Sequence, residues 1–236
     1  MAIPLLLIPG MMCDARVFFP QITVFSAERD VHIASLAQCE TIEEMAQAVL
    51  ENAPPHFALA GHSMGGIVAM EVVRRAPERV TKVALISTNS QAETPAVAAA
   101  REPQIVGVMA GRLTEVMQDV IRPEYLAAGP KRTEIMTLVQ EMALSLGEGE
   151  FVRQSRALQR RPDQQKTLRK IRMPALVMCG AEDGLTLPRR HEFMSAMIPY
   201  STLQIIDGAG HFPMLEAPEA TNTIFREWLD APLVLR

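Results

Sequence analysis

An α/β fold, a mostly parallel sheet of about six strands with helices on both faces, is predicted by three observations. Short apolar runs alternate with helical patterns along most of the chain. Two of these runs, Leu5-Leu6-Leu7-Ile8 and Ala175-Leu176-Val177-Met178, are continuously apolar, as strands covered on both faces must be. Gly61-His62-Ser63-Met64-Gly65 sits where an apolar run meets a helical pattern, a spacing that suits a cramped strand-to-helix turn. Length and composition agree: 236 residues, 48% hydrophobic and 21% charged, are ordinary for a globular chain that folds as one α/β domain.

The strands are predicted at Ile3-Ile8, Val31-Leu36, His56-Ala60, Val83-Ser87, Ala175-Cys179 and Thr202-Ile206. The first is too short to span a bilayer, lacks a preceding positive stretch and is broken by Pro9-Gly10, so it reads as a buried strand and no membrane partner is expected. Between the second and third strands, Ile42, Met45, Ala46, Val49 and Leu50 fall on one helical stripe, and Thr41 with Glu44 forms a capping pair. The helix after Ser63 is apolar nearly all round through Ile67, Val68, Ala69, Met70, Val72 and Val73, which predicts a central position. Arg74 and Arg75 close it before Pro77.

Strand signals then stop. Helical stretches at Ala96-Ala110, Leu113-Ile121, Lys131-Leu146 and Phe151-Arg160, punctuated by glycine and proline, predict an all-helical cap insertion over residues 90–170. Residues 1–89 and 171–236 would form the core. Arg153, Arg156, Arg160, Arg161 and Lys166 near the end of the insertion read as a solvated helix face, the commoner explanation, with an anion-binding role as the alternative. The last helix starts near Pro218 and sets Thr221, Ile224, Phe225, Trp228 and Leu229 on one side.

Charge and cysteine usage exclude several functions. The formal net charge of -4, with no Lys/Arg block, offers no footprint for a nucleic-acid partner. Cys13, Cys39 and Cys179 are odd in number and unpaired in spacing, which suits reduced thiols and a cytoplasmic location. No H-E-x-x-H or C-x-x-C spacing occurs, so no metal site is expected.

A serine hydroxyl is a poor nucleophile at neutral pH and needs a base in hydrogen-bond reach and a group that orients the base. In a strand-turn-helix site the order along the chain is Ser, then acid, then His. Asp183, in Gly180-Ala181-Glu182-Asp183-Gly184, follows the fifth strand; His211, in Gly208-Ala209-Gly210-His211-Phe212-Pro213, follows the sixth. Glu182 adjoins Asp183, and the segment after the fourth strand has no carboxylate before Glu93. His32 and His56 come too early, His191 falls in a helical stretch, and His62 is expected to point away from Ser63 and to serve packing or hydrogen bonding.

With these motifs in order, the chain resembles the α/β-hydrolase superfamily over nearly its whole length, and within it small bacterial carboxylesterase-like members with a helical cap. The resemblance implies catalytic roles for Ser63, Asp183 and His211, and an oxyanion hole made by the backbone N–H groups of Met11 and Met64. Most relatives carry His-Gly where this chain has Pro9-Gly10; backbone donors survive that change. The leading antiparallel strands of larger relatives are expected to be missing. Met12 and Met214 lie within a few residues of the predicted site and are pocket candidates, with Cys13, Phe18 and Phe19 as further neighbours.

The implied activity is a serine hydrolase that cleaves a carboxylic ester, thioester or lactone of a small to medium acyl substrate through an acyl-enzyme, without a cofactor. Carbon-carbon bond hydrolysis and cofactor-free perhydrolysis use the same triad and stay open. A serine here argues against the haloalkane dehalogenases and epoxide hydrolases, which use aspartate. A non-catalytic receptor for a small ligand is the reading from a different class. The sequence carries no signal for an oligomeric state.

Overall fold

The computed structural model describes residues 2–232. Residue 1 and residues 233–236, the outer ends of the predicted core, lie outside the described residues. In chain order the elements begin β1 (Leu5–Ile8), α1 (Phe19–Phe25), β2 (Val31–Ile33), α2 (Ile42–Asn52), β3 (Phe57–His62), α3 (Met64–Arg75) and β4 (Val80–Ile86). Six helices follow without a strand: α4 (Pro95–Ala100), α5 (Glu102–Met109), α6 (Leu113–Val120), α7 (Arg132–Leu146), α8 (Glu148–Gln159) and α9 (Gln165–Leu168). The chain then returns to β5 (Ala175–Gly180), α10 (Pro188–Met197), β6 (Ser201–Ile206), α11 (Pro213–Glu216) and α12 (Pro218–Asp230).

All six strands run parallel in the order β2-β1-β3-β4-β5-β6. Alternate residues feed two apolar layers. Leu5, Leu7, Ala58, Ala60, Ala84, Ile86, Leu176 and Met178 face the layer that holds Phe25 of α1 and Phe225 and Trp228 of α12. Leu6, Ile8, Leu59, Val83, Leu85 and Val177 face Met45 and Val49 of α2, Val68 and Val72 of α3 and Met194 of α10. The central strands β1, β3 and β5 are buried at every position, whereas the edge strands β2 and β6 are half open.

Departures from the expected boundaries have local causes. β1 starts at Leu5 rather than Ile3 because Pro4 has no N–H to donate, although its carbonyl still accepts from Ala58. β2 stops at Ile33 rather than Leu36: its sheet neighbour among the described residues, β1, ends at Ile8 before Pro9. β4 starts three residues earlier than its apolar run, at Val80, because Lys82 is buried with it. The Lys82 ammonium donates to the carbonyls of Trp228 (3.0 Å), Leu229 (2.5 Å) and Ala231, capping the C-terminal end of α12. The stretch 96–110 is two helices, α4 and α5, since Pro103 cannot supply a helical hydrogen bond and its ring crowds the preceding turn.

Candidate active site

Four loops leave the carboxyl ends of β1, β3, β5 and β6 and converge. The sheet order reverses between β1 and β3, and the crevice at such a reversal is where open α/β sheets hold their ligands. β3 runs directly into Ser63, whose backbone sits at φ +53°, ψ -117°, a conformation that side chains other than glycine rarely adopt. Close neighbours enforce it. A Cβ on Gly61 would lie 2.3 Å from the Gly65 carbonyl oxygen, and one on Gly65 would lie 2.2 Å from the Ile8 carbonyl oxygen. The serine thus stands at the tip of a turn pressed between β1 and the start of α3.

His211 Nε2 lies 3.1 Å from Ser63 Oγ, and His211 Nδ1 lies 3.1 Å from both carboxylate oxygens of Asp183. Asp183 is itself held: Oδ1 accepts from the amides of Leu185 (3.0 Å) and Thr186 (2.8 Å), and Oδ2 accepts from the Thr186 hydroxyl (2.7 Å). Burial raises the Asp183 pKa, but the facing His211 and the bonds from His211 and Thr186 outweigh it and hold the carboxyl well below the usual range. Asp183 and His211 are both buried.

Among the described residues, no acceptor engages the amides of Met11 or Met64. Met64 is the first residue of α3, where backbone N–H groups have no partner within the helix and the helix dipole favours negative charge. The next loop residue, Met12, sits at φ +54° and donates its N–H to Gln154 Oε1 at 2.8 Å. Gln154 in turn donates to Glu150 at 2.9 Å, so α8 holds the loop that follows β1.

His62 has the packing and hydrogen-bonding role expected, but it borders the cavity beside Ser63 rather than turning away from it. Its Nε2 is 2.9 Å from the His211 carbonyl oxygen, and the two rings are 5.1 Å apart between centroids. Burial, with His211 adding to it, pushes the His62 pKa down to about 3, so it packs as a neutral ring. His191, buried in α10, accepts from the Thr88 amide at 2.9 Å, and burial pushes it down to about 4. Neither ring carries charge at neutral pH.

A cavity of about 430 Å³ opens over Ser63 and His211, and Gly10, Met11, Cys13, Met64 and Tyr125 line part of it. The two pocket candidates, Met12 and Met214, are elsewhere: both are fully buried in the sheet's apolar layer, because the turn at Met12 directs its side chain into the core. Met11 and Met64 border the cavity instead. Phe18 is core and Phe19 is exposed. The Cys13 thiol borders the cavity, and burial, with Asp14 adding to it, pushes its pKa up to about 12, which leaves it a weak nucleophile.

Glu216 was not singled out by any motif. Its carboxylate accepts from the amides of Ala127 (2.7 Å), Gly210 (2.9 Å) and Phe212 (2.8 Å), clamping both sides of His211. The His211 amide donates to the Tyr125 carbonyl at 2.8 Å, and Glu182 accepts from the Ala128 amide at 3.3 Å. Glu216 follows the histidine by five residues on the short helix α11, and no spacing rule marks it. Its three bonds are visible only once the loops are folded.

Among the described residues, no helix is long and apolar enough to cross a membrane, and no three His, Cys, Asp or Glu side chains are grouped to hold a metal. A sequence profile described as "Alpha/beta hydrolase family" matches residues 5–224. The chain is 26% identical over 185 residues to a pimeloyl-[acyl-carrier protein] methyl ester esterase of Salmonella newport, covering 76% of this chain and 72% of that one. Its fold matches a thermophilic esterase from Thermogutta terrifontis (TM-score 0.87, 24% identity, 97% of this chain and 90% of that one). It also matches an enol-lactonase from Burkholderia xenovorans (TM-score 0.86, 19% identity, 98% and 92%). Six parallel strands in a single sheet, a strained serine after the third of them and a profile match over nearly the full length agree: the chain belongs to the alpha/beta hydrolase family.

Proposed function

We propose that the protein is a serine hydrolase that cleaves a carboxylic ester, thioester or lactone through an acyl-enzyme, with Ser63 as nucleophile, His211 as general base and Asp183 as the group that orients the imidazole. The observation that carries this is the unbroken relay from Ser63 Oγ to His211 Nε2 and from His211 Nδ1 to Asp183, each link 3.1 Å. His211 takes the hydroxyl proton as Oγ bonds to the acyl carbon, then returns it to the leaving oxygen or sulfur as the scissile bond breaks. Water, deprotonated by the same imidazole, releases the acid and restores Ser63. The unengaged amides of Met11 and Met64 would hold the oxyanion, each worth about 3 kcal/mol in the transition state.

Residues 90–170 act as a cap in this reading, since Val97 of α4, Gln104 of α5 and Arg101 between the two helices line the cavity over the serine. Buried, unbridged thiols at Cys13, Cys39 and Cys179 support a reducing, cytoplasmic setting. A fluorophosphonate probe should label Ser63 and block hydrolysis of p-nitrophenyl esters, and Ser63→Ala should lower kcat by about 10⁴-fold or more. A folded protein that takes no label and hydrolyses no ester, yet binds a small ligand, would make the chain a receptor on a hydrolase fold.

A further inference from the structure

The cavity over Ser63 reverses the sign of the molecule. The chain carries a formal net charge of -4, yet four arginines line this chamber, Arg101, Arg122, Arg161 and Arg190, against two carboxylates, Glu93 and Asp119. Glu93 is 1% exposed and receives Arg101 through Nε (3.0 Å to each oxygen) and Nη2 (2.6 Å). Arg161, 11% exposed, reaches the same carboxylate only at 3.4 Å. Neutral oxygens hold the rest: Arg161 Nε donates to the Gln91 carbonyl (2.9 Å) and Arg190 Nη1 to the Gln91 side-chain oxygen (3.1 Å). Such partners fix a guanidinium in place without cancelling its charge.

A solvated helix face does not look like this. Arg153 and Arg156 each have a carboxylate of their own, Glu150 and Glu102, and Arg160 is exposed. Only Arg161 of that sequence cluster turns into the cavity. Burial pushes its guanidinium down to about 10; Glu93 opposes the push, and Arg101 and Arg190 add to it. Loss of solvent is thus the main burden on Arg161, and Glu93 is the one carboxylate that relieves it. Arg101 Nη1 is also 3.9 Å from Met11 Sδ, so this charge begins beside the residue proposed to supply an oxyanion donor.

We propose that Arg101, Arg161 and Arg190 form an anion subsite, and that the substrate presented to Ser63 carries a second, anionic group, a carboxylate or a phosphate, which they bind. The inference deepens the hydrolase reading and rests on it. A chamber of about 430 Å³ holds a small molecule with both groups in place. Guanidinium forks already held by other oxygens lose little freedom when they close on an anion.

Three p-nitrophenyl esters of equal chain length, ending in carboxylate, phosphate or methyl, test it. One of the anionic esters should show a kcat/KM at least about tenfold above the methyl ester, chiefly through KM, and the better arm identifies the anion. Arg161→Gln and Arg190→Gln should each bring that ratio toward one, while Arg160→Gln, outside the cavity, should keep it. The partly exposed Arg190 carries the comparison if Arg161→Gln fails to fold. Equal kcat/KM for all three esters overturns the subsite.

Calorimetric titration of glutarate and of inorganic phosphate into Ser63→Ala protein keeps the two readings apart. Binding of either that is weakened by adding Arg190→Gln, in a protein whose native form hydrolyses none of the esters, overturns the hydrolase reading and retains the subsite. Ester hydrolysis with neither anion preference nor anion binding overturns the subsite and retains the hydrolase.

Discussion

The carboxyl edge of the sheet and the helical segment between β4 and β5 are built on opposite terms. At the sheet edge the carboxylates of the site are held by backbone: Asp183 by two amides, Glu216 by three. In the helical segment the polar contacts join long side chains, as in Arg101 with Glu93 and Arg156 with Glu102. It includes short helices, α4 with six residues and α9 with four, and it exposes Val106 (61%) and Met109 (72%). The difference teaches a division of labour. A reacting constellation needs fixed geometry, which backbone donors on strand ends supply, whereas recognition surfaces can rest on side chains that adapt.

That division fails if core substitutions do not act on the chemical step. Asp183→Asn should lower kcat by about 10⁴-fold, because the amide offers His211 Nδ1 the wrong partner and disturbs the tautomer; steady-state kinetics of ester hydrolysis check it. Glu216→Gln should lower kcat by about tenfold with KM nearly unchanged. An amide NH₂ placed among three N–H donors leaves at least one unsatisfied, and His211 then drifts from Ser63.

The junction of the two regions responds to acid. Glu71 of α3 is buried and accepts from Arg74, Arg75 and Gln164, the last just before α9. Burial raises its pKa, but those three donors prevail and lower it to about 2. A carboxyl depressed in the folded state stabilises the fold above its unfolded pKa, near 4.5. That contribution is lost as pH falls from there toward 2. The melting temperature should therefore drop over this window, and Glu71→Gln should flatten that part of the profile. Smallest is Met109→Ser on the exposed face of α5: a stability change within about 0.5 kcal/mol by urea unfolding sharpens the comparison, and a loss several times larger would show that this face is packed in solution.

Legibility in the sequence followed the same divide. β1 and β5 announce themselves because strands covered on both faces must be apolar throughout, and Ser63, Asp183 and His211 because each follows a strand in a fixed order. Lys82 hid the start of β4, since a lysine inside a strand is legible only when the helix end it caps is known. Met12 was misplaced by one residue's difference in direction: at φ +54° the turn sends its side chain to the core and leaves Met11 on the cavity. Arg161 was read as part of a solvated run because its partners, Gln91 and Glu93, lie about seventy residues earlier. Long-range polar pairing leaves no periodicity to read.

The turn at residues 123–127 touches the base loop through the Tyr125 carbonyl on the His211 amide and the Ala127 amide on Glu216, with Ala128 on Glu182 beside them. If the helical segment swings to admit a substrate, these three bonds make this turn the pivot, and the free arm is the side bearing α4 and α5. The part anchored to the histidine would then stay still while the part bearing Arg101 moved, so entry of a ligand need not disturb the contact between His211 and Ser63.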